Sequence, residues 1–366
     1  MEIKLPFNPN PIINTYSDHA NLVSIISNYF HLIPWIYQRF LRLTYCKDNQ
    51  YLDFCDGEYF DYYRCNVKYI EGKKYLAEYR NNEILDQEDV TKEVASEEIC
   101  HFVLQSIDQS YYIIIHLDHY FIKNSDVYGM YHRTHASIIY GYDLSRRVFF
   151  VADNFNFGKY MSIEVGFDEL VTARRIVETV DMKMALRIRV KKHVDVSLNI
   201  TEVSKKLMEY VNGEDSSNYG IITESYENYY YYNGFKYDWH WHEYKNNEMF
   251  IYGVNIHTFF AEDMNIIINE KKSLDIRRYQ ALLNHKTVIK ELVNYMTEKS
   301  LMTSCEQLRF KLIEIEKKSY IARNMAIKYN LNFDLKILDK LKAFHEGVIE
   351  KETELIKNII ERISSS

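Results

Sequence analysis

The chain has few of the residues that interrupt a backbone: 11 glycines and 4 prolines in 366 residues. No Gly- or Pro-rich stretch therefore marks a linker, and no repeat of fixed period is present. A run of about 18 apolar residues is also missing, so no membrane-spanning helix is expected. The opening MEIKLPFNPNPII lacks the apolar segment behind a basic one that a signal peptide needs, which makes the cytoplasm the expected location. Cysteines number 5, at Cys46, Cys55, Cys65, Cys100 and Cys305. No two of them form a CxxC pair and none stands beside histidine at ligand spacing, so neither a disulfide framework nor a metal site is expected. Positive charge is not in excess either. With 45 Lys and Arg against 52 Asp and Glu the net charge is −7, which disfavours a nucleic-acid partner.

Hydrophobic residues make up 47% and charged residues 27%, the balance of a globular chain rather than a disordered one. Tyrosine is abundant, at 33 residues. Such usage, alongside Ile, Asn and Lys, follows from AT-rich coding; a Tyr-lined pocket for an aromatic or acyl substrate is the alternative.

Leu22, Ile25, Ile26 and Phe30 fall on one helical face, predicting a helix over 18–30 capped by Ser17 or Asp18. A second helix is expected after Pro34 and an acidic helix near 86–107. The segments YYIIIHL (111–117), ASIIYGY (136–142) and RVFFVAD (147–153) read as buried strands, the last two joined by a hairpin with Gly141 and Asp143 as turn signals. MALRIRV (184–190) alternates as a further strand. After residue 195 the character changes: an amphipathic helix, an aromatic low-complexity segment, then helical periodicity from about 250 onward. The expected class is α+β, with an N-terminal domain over 1–195 and a mainly helical domain over 196–366.

Nucleophilic acyl chemistry needs a nucleophile, a base and a group that orients the base. His135 opens the strand HASIIYGYD, and Asp153 closes the next, VFFVAD, with Asn154 after it. In a hairpin those ends face each other, which would set Asp153 or Asn154 against the His135 ring. This pattern, with the helix SDHANLVSIISNYF before it, resembles the papain-like acyltransferases of antibiotic clusters, typified by the butirosin acyltransferase and the cysteine-protease homologues that build closthioamide. The resemblance covers roughly residues 10–180 and implies a papain-like domain with a helical C-terminal region.

It also implies a nucleophilic Cys at position 20, where this chain carries Ala20. An inactive Cys-to-Ala variant of an active enzyme and a natural chain without the nucleophile both account for this. The intact His135 and Asp153 point to the first. Ser17 and Cys46 are weaker nucleophiles, Ser17 because it is expected before the helix rather than in its first turn. Asn14, six residues before position 20, has the type and spacing of an oxyanion donor, with the backbone N–H of position 20 as the second. It would serve equally as a turn former. Asp118, Tyr120 and Asn154 are candidate substrate contacts. In DWHWHEY, His240 and His242 have no third ligand at a recognisable spacing.

The resemblance implies that an acyl group passes from the phosphopantetheine thioester of an acyl or peptidyl carrier protein, through the residue at position 20, to a small amine, with no other cofactor. Carrier proteins are acidic, and Arg174, Arg175, Arg187, Arg189, Lys191 and Lys192 would offer a docking surface; a solvated face is the plainer reading. Two other functions fit the same residues: a papain-like peptidase or amidase, and a silent scaffold that binds carrier protein.

Overall fold

The computed structural model describes every residue except 48–49, 56–64, 71–72, 80–83, 91–92, 95–97, 178–184, 215–226, 233–234, 241–249, 304–305 and 365–366. From the N-terminus the chain forms β1 (Glu2–Lys4), α1 (Ser17–Ile26), α2 (Ile33–Arg39), β2 (Leu43–Cys46) and β3 (Tyr51–Phe54). There follow β4 (Cys65–Ile70), β5 (Lys73–Tyr79), β6 (Leu85–Asp89), α3 (Ile99–Asp108) and β7 (Tyr112–Asp118). The middle comprises β8 (Thr134–Asp143), β9 (Val148–Asn156), β10 (Lys159–Gly166), α4 (Phe167–Val177), β11 (Ala185–Val190) and α5 (Ile200–Asn212). Three strands, β12 (Glu227–Tyr232), β13 (Phe235–His240) and β14 (Phe250–Tyr252), precede the helices α6 (Asn255–Glu270) and α7 (Ile276–Glu298). The chain closes with α8 (Glu306–Asn332) and α9 (Leu335–Ser364). The class is mixed α/β, with antiparallel sheets and a helical C-terminal region. No described helix is long and apolar enough to cross a membrane.

Two compact units are built from interleaved segments rather than from contiguous halves. The first comprises Met1–Ile33, Tyr59–Asp195 and Thr223–His242; the second comprises Pro34–Glu58, Val196–Ile222 and Glu243–Ser366. Residues 34–58 of the N-terminal half thus belong with the helices, because β2 pairs with β14 and β3 lies against α7.

The first unit is organised by a seven-stranded sheet in the order β10-β9-β8-β7-β11-β6, with β1 added along β8. All its pairings are antiparallel. β7 is buried along all seven residues, as its run YIIIHLD demands. Ile113, Ile115 and Leu117 join Val103 and Ile107 of α3 and Leu170 and Ala173 of α4 in the core. Each of the Ile, Leu and Val side chains contributes about 1.5–3 kcal/mol on burial.

Two expectations are corrected in this unit. Gly141 lies inside β8, not in the turn, and is needed because β1 crosses there: a Cβ on it would come 2.4 Å from the Ile3 carbonyl oxygen. The turn itself is held by Asp143, whose carboxylate accepts from Ser145 N–H at 2.9 Å. The acidic stretch near 86 is a strand rather than the start of a helix. Its Asp86 meets Arg189 at 3.0 Å and its Glu88 pairs with Arg187 on the neighbouring β11, so cross-strand charge pairing overrides local helix preference.

In the second unit β14, β2 and β3 make a small antiparallel sheet, and α5 to α9 supply the bulk. α5 begins at Asn199, whose side chain accepts from Glu202 N–H at 3.1 Å, and ends at Gly213 in the left-handed conformation, φ 67°. Met264, Tyr279, Ala322, Tyr329 and Leu338 form one of its apolar clusters. A polar network is also enclosed. Lys286 pairs with Glu352 and donates to the Tyr210 hydroxyl at 2.9 Å, while His257 and His345 face one another through their Nδ1 atoms at 2.9 Å.

Candidate active site

β8 and β9 run antiparallel, so the start of one lies beside the end of the other. That register brings His135 to Asp153, with His135 Nδ1 2.6 Å from Asp153 Oδ1. Asp153 is fully buried, and four donors surround its carboxylate. Oδ1 receives His135 and the Asn154 backbone N–H at 2.7 Å; Oδ2 receives the Ser137 hydroxyl at 2.7 Å and His119 Nε2 at 3.1 Å. Burial alone would favour a protonated Asp153. The attraction of His135 and the hydrogen bonds of both rings outweigh it and hold the carboxyl below the usual carboxylate range. His135, whose side chain is 37% exposed, responds in the opposite sense. Burial opposes its charged form, but Asp153, helped by Asp18, raises its pKa above the ordinary value. With the Nδ1 proton directed at Asp153, Nε2 has no partner among the described residues.

α1 packs on β8 and β9. Asn21 fixes it there, accepting from the Tyr160 hydroxyl at 2.7 Å and reaching the Ala136 carbonyl at 3.5 Å. The helix begins at Ser17, directly after Tyr16 in extended conformation. Ser17 therefore stands in the first turn, not before it, and its hydroxyl lies 3.4 Å from His135 Nδ1. Ala20 sits one turn further in, fully buried, and its N–H donates to the Tyr16 carbonyl at 2.9 Å. That amide is spent on the helix and is not available as an oxyanion donor. Asn14 ties its amide back to the Pro11 carbonyl at 3.2 Å, the turn-forming alternative.

The remaining expected residues are distributed differently. Asp118 is 1% exposed and acts as a loop clamp: it accepts from Tyr120 N–H at 3.0 Å, Arg133 N–H at 3.1 Å and His132 Nδ1 at 2.6 Å. Tyr120 stacks on His132 at 4.4 Å. Asn154 donates its amide to the Gly158 carbonyl at 2.7 Å across the β9–β10 connection. Arg174 cannot belong to a docking surface, since it is 1% exposed and donates to the His116 carbonyl at 3.3 Å. Arg175 and Lys192 are exposed and Lys191 half-buried. Arg187 and Arg189 are paired with acidic residues of β6. Among the cysteines, Cys100 donates its thiol to the Phe167 carbonyl at 3.7 Å and burial pushes its pKa up, so it is not poised as a nucleophile. Only the backbone of His240 is described, and His242 and Glu243 lie outside the described residues.

Three residues of the site escaped sequence reading: Ser137, His119 and Arg133. Ser137 carried a signal, because a residue two beyond His135 on a strand shares its face. His119 and Arg133 carried none; they sit on the segment between β7 and β8, and only its folding brings them to Asp153. His119, His135 and Asp153 lie close enough for a metal ion by spacing alone. Their protons argue otherwise. Arg133 Nη2 can only donate, and it donates to His119 Nδ1 at 3.1 Å, so the His119 proton sits on Nε2 where a metal would need a lone pair. Compared with protein-family models and with curated proteins, the chain finds no match.

Proposed function

We propose that the sheet-bearing unit forms an acyl-transfer site in which His135 acts as general base directly on the acceptor. The observation that carries this reading is the 2.6 Å bond from His135 Nδ1 to Asp153, which orients the ring and leaves Nε2 as the basic atom. The donor in this reading is an acyl thioester on the phosphopantetheine arm of a carrier protein, and the acceptor is a small amine. The amine nitrogen attacks the thioester carbonyl while His135 Nε2 takes its proton. The tetrahedral intermediate then collapses and expels the thiolate, which recovers the proton from the imidazolium, leaving an amide and a free pantetheine thiol. Asp153 keeps the Nδ1 proton in place and offsets the charge that forms on the ring. No covalent enzyme intermediate is required, which accommodates alanine at position 20. The order of helix α1, His strand and Asp strand supports a papain-like relationship, and Arg175, Lys191 and Lys192 are the docking residues that this reading retains.

One observation favours a second reading, in which Ser17 is the nucleophile: its hydroxyl is 3.4 Å from the His135 ring. It approaches Nδ1, however, the nitrogen whose proton faces Asp153, so it meets a donor rather than a base. The test is amide formation from acyl-loaded carrier protein and amine, with intact-protein mass spectrometry on the same mixture. His135→Ala is expected to lose about 10²–10⁴-fold in rate, Ser17→Ala to keep its rate, and the protein to show no acyl adduct. A His135→Ala variant as active as wild type sinks the proposal. An adduct on Ser17 that the amine discharges replaces it with the second reading.

A further inference from the structure

Asp153 is usable only if it stays ionised and aimed at His135 inside a fully buried setting. Its two oxygens receive four donors, and three of these come from the same two strands or the adjoining backbone. The fourth, His119, comes from the segment after β7. Its ring is fully buried and lies against Phe155, with centroids 4.6 Å apart. Its backbone N–H is anchored on the Arg133 carbonyl at 2.9 Å.

An imidazole offers Asp153 a donor only if its proton is on the nitrogen facing the carboxylate. Arg133 decides this. Its Nη2 gives one hydrogen to Asp126 Oδ1 at 2.6 Å; for the other, His119 Nδ1 at 3.1 Å is nearer than the Asn154 carbonyl at 3.4 Å and Ser125 Oγ at 3.5 Å. A guanidinium has no lone pair to offer, so Nδ1 must accept and the proton is placed on Nε2, 3.1 Å from Asp153 Oδ2. Asp126 is itself oriented by the Phe157 backbone N–H at 2.8 Å. The relay thus runs Asp126, Arg133, His119, Asp153, His135, with each proton position set by the partner before it.

We propose that His119, fixed in one tautomer by Arg133, is the positioning residue that holds Asp153 Oδ2 and so limits how strongly Oδ1 binds the base His135. The proposal gives a role at this site to a histidine that touches no reacting atom, and for its catalytic meaning it rests on the acyl-transfer reading above. Without the His119 donor, negative charge concentrates on the oxygen that faces His135, which strengthens its hold on the imidazolium. The other charged groups acting on His135 are Asp18 of α1, which favours the charged ring, and Arg133, which disfavours it. Asp18 has no contact with position 119, and Arg133 keeps its bond to Asp126 at 2.6 Å when His119 is replaced.

The test is a pH titration of the His135 ring by NMR, which needs no substrate and so stands or falls apart from the acyl-transfer reading. In His119→Leu the His135 midpoint is expected to rise by about half a unit to one unit, the coupling of one hydrogen bond to a charged group. His119→Gln, whose amide can accept from Arg133 and donate to Asp153, is expected to restore the wild-type midpoint. The ring ¹⁵N shifts of wild type are expected to place the His119 proton on Nε2. Arg133→Met, at a side chain 24% exposed and so less prone to misfold, is expected to release that preference. A midpoint that stays or falls in His119→Leu, or a wild-type His119 protonated on Nδ1, overturns the proposal. If catalysis is as proposed, the acid limb of the rate profile in His119→Leu moves up with the midpoint and kcat falls while KM holds.

Discussion

The sheet-bearing unit and the helical unit each bury a carboxylate among histidines, to opposite effect. In the first, Asp153 faces His135, a ring 37% exposed whose pKa is raised and whose Nε2 is left open. In the second, Glu352 is enclosed with Lys286, Tyr210 and His257, and all three nearby rings are pushed below the ordinary imidazole value, His285 down to about 3. Burial is the first cause there, seconded by the Lys286 charge at His285 and by His257 at His345. Both clusters hold perturbed groups, yet only the first presents a basic atom to its surroundings. The second is closed by burial: His345 Nε2 has no hydrogen-bond partner among the described residues, but its ring is fully enclosed. His257 Nε2 lies 3.3 Å from Glu352 Oε2, and its Nδ1 meets His345 Nδ1 at 2.9 Å. A perturbed histidine therefore indicates a site only when its free nitrogen can also be reached by a reactant.

The largest way to break this comparison is to unbalance the enclosed pair. Lys286→Met leaves Glu352 buried without its cation and is expected to cost about 3–5 kcal/mol in urea denaturation. The double change Lys286→Met with Glu352→Leu is expected to cost less than the single one. A double variant less stable than Lys286→Met would show that the pair, not the unmatched charge, matters.

Acidification separates the units by sign. His257, His285 and His345 have folded values below the unfolded value of 6.5, so the stability linked to them is complete above that pH and is lost as pH falls below it. His285, with a folded value of about 3, contributes a loss of about 1–2 kcal/mol between pH 6.5 and 5, and His257 and His345 act in the same direction. Glu352, held low by Lys286 and His257 despite its burial, adds nothing in that window. His135, with its raised value, contributes stability below 6.5 that is lost as pH rises through its folded value. Denaturation followed at pH 5 and 7 is therefore expected to show the helical unit weakening on acidification. A helical unit equally stable at both would contradict the enclosed, neutral histidines.

The smallest effect sharpens the separation. Asn199→Ala removes the cap of α5, which carries Tyr210, and is expected to cost about 1 kcal/mol in the helical unit. The NMR midpoint of His135 is expected to stay where it is, and a shift would show that the two networks are coupled.

Much of the scaffold was legible. β7, β8, β9 and β11 announced themselves by apolar or alternating runs, and α5 to α9 by helical spacing, because both periods follow from which face is buried. His135 and Asp153 were legible together because a hairpin sets the start of one strand beside the end of the next. What failed did so for tertiary reasons. The acidic run at 86–89 became a strand because β11 offered arginines in register. Arg174, basic and so assigned to the surface, is instead buried where the His116 carbonyl accepts from it.

The sequence by itself determined the α+β class, the helical C-terminal region and the two strand residues on which the candidate chemistry rests. These depend on composition and short-range periodicity, which local sterics and side-chain burial enforce. The tertiary structure alone decided that α1 begins at Ser17, that the amide of Ala20 is consumed inside the helix, and that residues 34–58 belong with the helices. It alone brought His119 and Arg133 to Asp153. Those outcomes depend on where a proton can sit between partners distant in sequence, and no local pattern encodes a partner that only folding brings within 3 Å or so.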